Sequence, residues 1–87
     1  MSVYVDDAFI PYRGMRMCHM MADSTAALLA MARAIGIDPK WVQAAGTSKE
    51  HMDVCRTKRA DAVRNGAIEV SQRQLARMRK ERTEVGR

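Results

Sequence analysis

Aromatic residues are scarce. One Trp, two Tyr and one Phe make up 5% of the 87 residues. A core of stacked rings is excluded, so eight Met together with Ala, Leu, Val and Ile must supply the packing. Met fills irregular gaps but specifies shape weakly, which suits a surface that associates with another chain or with a second copy of itself. There are only two Cys, Cys18 and Cys55, too few for a secreted disulfide scaffold. No apolar run approaches the roughly 18 residues of a membrane span. The N-terminus has neither the basic nor the apolar region of a secretory signal. A cytoplasmic protein with reduced thiols and no membrane partner is expected. Phosphate-loop, dinucleotide-loop, zincin and nucleophile-elbow motifs are all missing, as are internal repeats and low-complexity linkers.

What the chain does have is an uneven positive charge. The net charge is +5, and from Gln72 onward Arg73, Arg77, Arg79, Lys80, Arg82 and Arg87 face only Glu81 and Glu84. Such a segment is either a solvated helix face or a docking surface for an anionic partner: nucleic acid, a nucleotide or an acidic protein.

Hydrophobic patterning divides the rest into short elements. Ser2–Val5 alternates as a strand, and Asp6-Asp7 ends it. Ala8–Gly14, with Pro11 and Gly14, reads as a loop or wide hairpin connection. Met15–Ala22 is a second strand, with Met15, Met17, His19 and Met21 on one face and Arg16, Cys18, Met20 and Ala22 on the other. Asp23-Ser24-Thr25 offers cap residues for a helix over Thr25–Ile35. Its buried stripe is Leu28, Leu29, Ala32 and Ile35, and Gly36 stops it. Asp38-Pro39 starts one further turn. There Trp41 either plugs the core edge or offers a platform to an aromatic ligand. Asp53 is placed to cap a helix from Val54 to Asn65. Ala67–Val70 reads as a short buried strand. Ser71 and Gln74 have capping-box spacing at the start of a final helix with a narrow apolar stripe.

The expected fold is one small α/β domain over residues 1–87, with 79–87 a frayed basic tail. Its order is β-β-α-(turn)-α-β-α, with a sheet of about three strands covered by helices. A helix-turn-helix over Thr25–Gln43 is set aside, because its second piece is too short to be a recognition helix.

Polar groups near element ends supply the candidate site: Asp6, His19, Asp23, His51 and Asp53, with Lys58 and Arg59 following on the helix. Loop-side carboxylates and a helix start favour an anionic ligand. The expected pocket binds a phosphate-bearing ligand, nucleotide or nucleic acid through Asp6, Asp23, Trp41, Asp53, Lys58 and Arg59. His19 and His51 are its candidate acid and base, which leaves phosphoester hydrolysis open. Two metal alternatives stand beside this. A divalent ion could be held by Asp6, His19, His51 and Asp53, or a zinc ion by Cys18, His19, His51 and Cys55, which lack paired zinc-ligand spacing. In the bland alternative, His51 and Asp53 order a helix start and His19 packs among Met side chains.

Across residues 2–78 the chain resembles the small bacterial and phage domain-of-unknown-function family 4031. The resemblance rests on Val3-Tyr4-Val5-Asp6-Asp7, Cys18-His19-Met20 with Ala22-Asp23, Ala34-Ile35-Gly36 and Trp41. It continues through His51-x-Asp53, Lys58-Arg59-Ala60 and Gly66-Ala67-Ile68-Glu69-Val70-Ser71. The family pattern reads His-Tyr-Asp where this chain has His51-Met52-Asp53, and Cys55 lies outside it. The resemblance brings no activity with it. It implies Asp6, His19, Asp23, Trp41, His51, Asp53 and Arg59 as landmarks. It also implies a phage accessory role in the host cytoplasm, including inhibition of a host defence complex by protein–protein contact.

Overall fold

The computed structural model describes residues 1–84. Among these residues there are five strands: β1 (Val3–Val5), β2 (Ile10–Tyr12), β3 (Met15–Ala22), β4 (Met52–Cys55) and β5 (Ile68–Glu69). Three helices accompany them: α1 (Thr25–Ala34), α2 (Arg56–Arg64) and α3 (Gln72–Glu84). A single 3-10 turn spans Pro39–Trp41. The α/β class holds, but the sheet has two more strands than the hydrophobic pattern suggested.

The long strand β3 is the spine. Its expected alternation holds, with Cys18, Met20 and Ala22 buried in the core. β1 pairs antiparallel with its end, Val3 opposite Ala22 and Val5 opposite Met20. β2 pairs with its beginning, Ile10 opposite Met17 and Tyr12 opposite Met15. β4 pairs antiparallel with Met17–Met20, and β5 joins β1 in parallel. The strand at β5 is therefore a neighbour of β1, not of β3. It is also exposed at Ile68 and Glu69 rather than buried.

Leu28, Met31 and Ala32 of α1 and Ala62 of α2 pack with Val3, Val5, Cys18, Met20, Met52 and Val54 in one cluster. Met21 points to the opposite face by alternation, yet it is fully buried, and so is Leu75 of α3. Neither belongs to that cluster, which leaves α3 to cover the second face there. The ends of α3 are tied down by Gln72 N–H donating to Asp7 Oδ1 at 2.8 Å and by the Arg82 guanidinium donating to the Ala22 carbonyl.

Helix ends follow local chemistry. Ser24 Oγ accepts the Ala27 N–H at 3.1 Å, a cap worth about 1 kcal/mol. Past the other end of α1, Ile37 N–H reaches Ala32 O at 2.8 Å across Gly36 at φ +79, the left-handed stop that glycine adopts without strain. Lys58 Nζ also donates to Ile35 O at 2.7 Å, placing a cation on the carbonyl end of α1. Asp38 caps the short turn through Lys40 N–H. The capping box at Ser71 and Gln74 is reciprocal, at 3.0 and 2.7 Å. α3 remains helical through Glu84, and residues 85–87 of the expected frayed tail lie outside the described residues. The buried Glu50 carboxylate accepts from Thr25 Oγ1 at 2.7 Å and Gly46 N–H at 3.0 Å, fastening the loop before β4 to the start of α1.

Two expectations are corrected. Ala8–Gly14 holds a strand and a tight hairpin: Arg13 and Gly14 both have positive φ, +49 and +77, as a two-residue type I′ turn requires. Asp53 does not cap α2. It lies inside β4, where Met52 and Val54 alternate inward and Asp53 outward. The cap position falls on Cys55, which makes no side-chain bond there. The left-handed conformation costs a non-glycine residue about 1 kcal/mol, less for Asn. Arg13→Asn should therefore raise stability by up to about 1 kcal/mol in urea unfolding, and a fall in stability would contradict this turn assignment.

Candidate functional site

The site begins where β1 ends. Asp6 would continue the β1–β3 register opposite His19, and its N–H does donate to His19 O at 3.0 Å. The return bond is different. His19 N–H donates to the Asp6 carboxylate at 2.8 Å rather than to its carbonyl. That carbonyl instead accepts Arg59 Nε–H at 2.7 Å. The same carboxylate takes Ala8 N–H at 3.3 Å, and its second oxygen takes His19 Nδ1 at 2.7 Å. Asp6 is fully buried. A carboxylate only accepts, so Nδ1 of His19 carries a proton, and in the neutral ring Nε2 then keeps its lone pair.

Across the strand pair, His19 faces Asp53. Asp53 Oδ2 accepts Gln43 Nε2–H at 2.9 Å, and its Oδ1 lies 3.6 Å from His51 Nε2. His51 is held by a short bridge to Gln43 and by its Nδ1–H donating to Lys49 O at 2.7 Å. The two imidazoles meet edge to face with centroids 5.6 Å apart. The two histidines and Asp53 are thus brought together by strand pairing rather than by a helix start.

His19, Gln43, Asp53 and Lys58 supply polar groups to a cavity of about 670 Å³. Its walls are mainly apolar and include Ile10, Tyr12, Met15 and Trp41. All four are exposed, Trp41 to 64% and Tyr12 to 53%. Trp41 does not plug the core edge. Lys40 Nζ sits 5.1 Å from its ring centroid, and the Arg13 guanidinium sits 5.3 Å from that of Tyr12. Sequence reasoning missed Gln43 and the β2 wall. The signal for that wall was an apolar Ile10-Pro11-Tyr12 run directly before Arg13-Gly14.

Other expected site residues serve elsewhere. Asp23 Oδ2 accepts Ser2 N–H at 2.9 Å and Oδ1 accepts Tyr4 O–H at 3.0 Å, so it closes the far end of the β1 ladder and does not line the cavity. Arg59 braces Asp6, bonds Glu69 at 2.9 Å and lies over the Phe9 ring. Cys18 faces the core, and burial pushes its thiol pKa up. Cys55 lies on the cavity wall, so the Cys18–Cys55 zinc arrangement is not formed. Among the described residues no group of three or more His, Cys, Asp or Glu side chains is arranged to hold a metal ion, and none of their helices is long and apolar enough to cross a membrane.

The family model described as "Protein of unknown function (DUF4031)" matches residues 3–82. The chain belongs to this family. Neither a curated protein nor a solved structure matches it. The landmarks of the family resemblance now divide by role: Asp6, Asp23 and Arg59 tie the fold, while His19, Trp41 and Asp53 line the cavity and His51 adjoins both His19 and Asp53.

Asp6→Asn keeps an acceptor for the backbone but turns an amide N–H toward His19 Nδ1. The imidazole should then move its proton to Nε2, visible in its nitrogen NMR shifts, with the β1–β3 amides still protected. An unchanged tautomer would show that the carboxylate does not set it. The Asp23 pKa is lowered, first by the Ser2 N–H and then by Tyr4 O–H and nearby positive charge. A depressed folded-state pKa stabilises the fold above roughly pH 4, and this is lost as pH falls through the lower folded value. Thermal melts of Asp23→Asn should therefore fall less steeply below roughly pH 4 than those of the parent chain.

Proposed function

We propose that the chain binds a phosphate-bearing ligand, a nucleotide or nucleic acid, in the His19 cavity. The observation that carries this reading is an imidazole, oriented by a buried carboxylate, lining a cavity with exposed aromatic walls. Apolar walls with a few convergent polar groups are the usual make-up of a small-ligand site. Trp41 and Tyr12 offer faces on which a base can stack. The cations beside them, with Lys58 on the wall, supply positive charge for phosphate. Asp53 and Gln43 suit sugar hydroxyls or base edges. His19 Nε2, with its lone pair, can accept a proton from a ligand hydroxyl, so hydrolysis is within the chemistry of the site.

A second reading draws on the same rim. Ile10, Tyr12, Met15 and Trp41 form exposed apolar surface, which suits a protein partner, as for a phage accessory protein that blocks a host complex.

Trp41 is the only tryptophan in the chain and reports on the cavity directly. Titration with nucleoside monophosphates and a single-stranded oligonucleotide should give saturable changes in its fluorescence. His19→Ala and Asp53→Ala should weaken binding by about tenfold or more, the worth of one charge-assisted hydrogen bond. Affinity for the oligonucleotide should fall steeply with salt. No fluorescence change with either ligand, or equal affinity in both variants, would exclude the cavity as the binding site.

A further inference from the structure

Resting on that binding reading, we infer that the ligand is single-stranded RNA and that the chain cleaves it through the RNA's own 2′-hydroxyl, with His19 as general base. The geometry around His19 supplies three parts of this reaction. Nδ1 is committed to Asp6 Oδ2 at 2.7 Å, so the group left for chemistry is Nε2, an acceptor for a hydroxyl proton. Asp53 and Gln43 line the same cavity and are hydrogen-bonded to each other at 2.9 Å, which places polar partners for a ribose hydroxyl beside that nitrogen. The 2′-hydroxyl is the group by which a protein distinguishes RNA from DNA. It is also the nucleophile that an imidazole base can use most effectively. Attack within one molecule carries an effective concentration of about 10⁵–10⁸ M, which water in a cavity does not have.

The surface beyond His51 favours a polymer over a mononucleotide. The Lys49 carbonyl holds the His51 ring. Lys49 also lines a separate cleft of about 240 Å³ with Ala76, Arg79 and Lys80 of α3. The basic cleft is thus linked to the aromatic cavity through Lys49 and the histidine pair. Single-stranded nucleic acid is bound by this combination of stacking faces and a positive path.

In the reaction, His19 Nε2 takes the 2′-hydroxyl proton as the 2′-oxygen bonds to phosphorus. The bond from phosphorus to the 5′-oxygen breaks, and that oxygen receives a proton from His51 in its imidazolium form, whose Nε2 lies on the Asp53 side of the site. The products are a 2′,3′-cyclic phosphate and a 5′-hydroxyl. His19 then passes its proton to water and His51 regains one, so protons balance and no oxidant or reductant is consumed. Asp6 is a positioning residue that keeps His19 in the basic tautomer.

The test incubates the full chain, in EDTA, with random-sequence single-stranded RNA, the matching DNA and fully 2′-O-methylated RNA. Binding is followed in parallel by Trp41 fluorescence. Only unmodified RNA should be cut, leaving cyclic phosphate and 5′-hydroxyl ends. His19→Ala, assayed at RNA concentrations that saturate its weaker binding, should slow cutting by about 10²–10⁴-fold. His19→Gln, which keeps a donor toward the buried Asp6 carboxylate, should give the same loss in a folded chain. A nitrophenyl ester of uridine 3′-phosphate has a leaving group that needs no proton. On it the deficit of His51→Gln should vanish and that of His19→Gln should persist. RNA that is bound but uncut, cutting abolished by EDTA, 5′-phosphate ends, or undiminished cutting in both His19 variants would each overturn this inference and leave the binding reading standing. A His51→Gln deficit that persists on the ester would remove the proton-donor role. Failure of all three polymers and of nucleoside monophosphates to bind would remove both readings.

Discussion

The Asp6 carboxylate does the work that a main-chain carbonyl performs elsewhere in the β1–β3 ladder. By accepting His19 N–H at 2.8 Å it completes that ladder and frees its own carbonyl for Arg59 of α2. By accepting Ala8 N–H it also shapes the departure from β1, where the chain crosses Phe9 at φ +46 and resumes as β2. β2 then pairs with β3 two residues out of the β1 register. A buried ion is costly unless its bonds are met. Here each carboxylate oxygen has a donor within 2.8 Å, so the cost is offset and the geometry around it is tightly specified.

Asp23 repeats the device at the other end of β1. The Ser2–Asp23 pair keeps one main-chain bond, Asp23 N–H to Ser2 O at 2.9 Å. It replaces the other with Ser2 N–H to the Asp23 carboxylate. A three-residue strand is short for stable pairing, and two aspartates close its ladder at both ends. One of them is exposed and ends there. The other is buried and carries His19 on its second oxygen, so the interaction that ends the strand also orients the imidazole toward the cavity.

That placement explains how a small domain presents a shaped site. β3 offers Met17 and His19 on the same face, and β4 adds Asp53 and Cys55 directly opposite them. The short turn at Pro39–Trp41 and the β2 hairpin raise walls on this surface, with Trp41 and Tyr12 exposed at the rim. Rigid pairing thus fixes the polar groups, and the apolar residues that surround them remain solvent-facing in the isolated chain. α3 buries Leu75 and turns Arg82 in to the Ala22 carbonyl, while Arg73, Arg77 and Lys80 are exposed.

Features set by neighbours in the chain were legible from the residues alone. The Ser24 cap, the Gly36 stop, the Asp38-Pro39 turn and the Ser71–Gln74 box each depend on bonds spanning a few residues. The alternation of Met15–Ala22 was long enough to identify a strand and its inward face. The same reading singled out His19, His51 and Asp53. β2 was hidden because Arg13, rather than Asn or Asp, occupies a left-handed turn position that its backbone reaches only when strand pairing holds it there. β4 was hidden because four residues cannot distinguish a strand from a capped helix start, and an aspartate suits either. Only the tertiary structure decided that Asp6 and Asp23 terminate a ladder, that Lys58 caps α1 while lining the cavity, and that Gln43 and Asp53 meet beside His19. Each is a contact across the fold, so its energy depends on partners that local spacing does not specify.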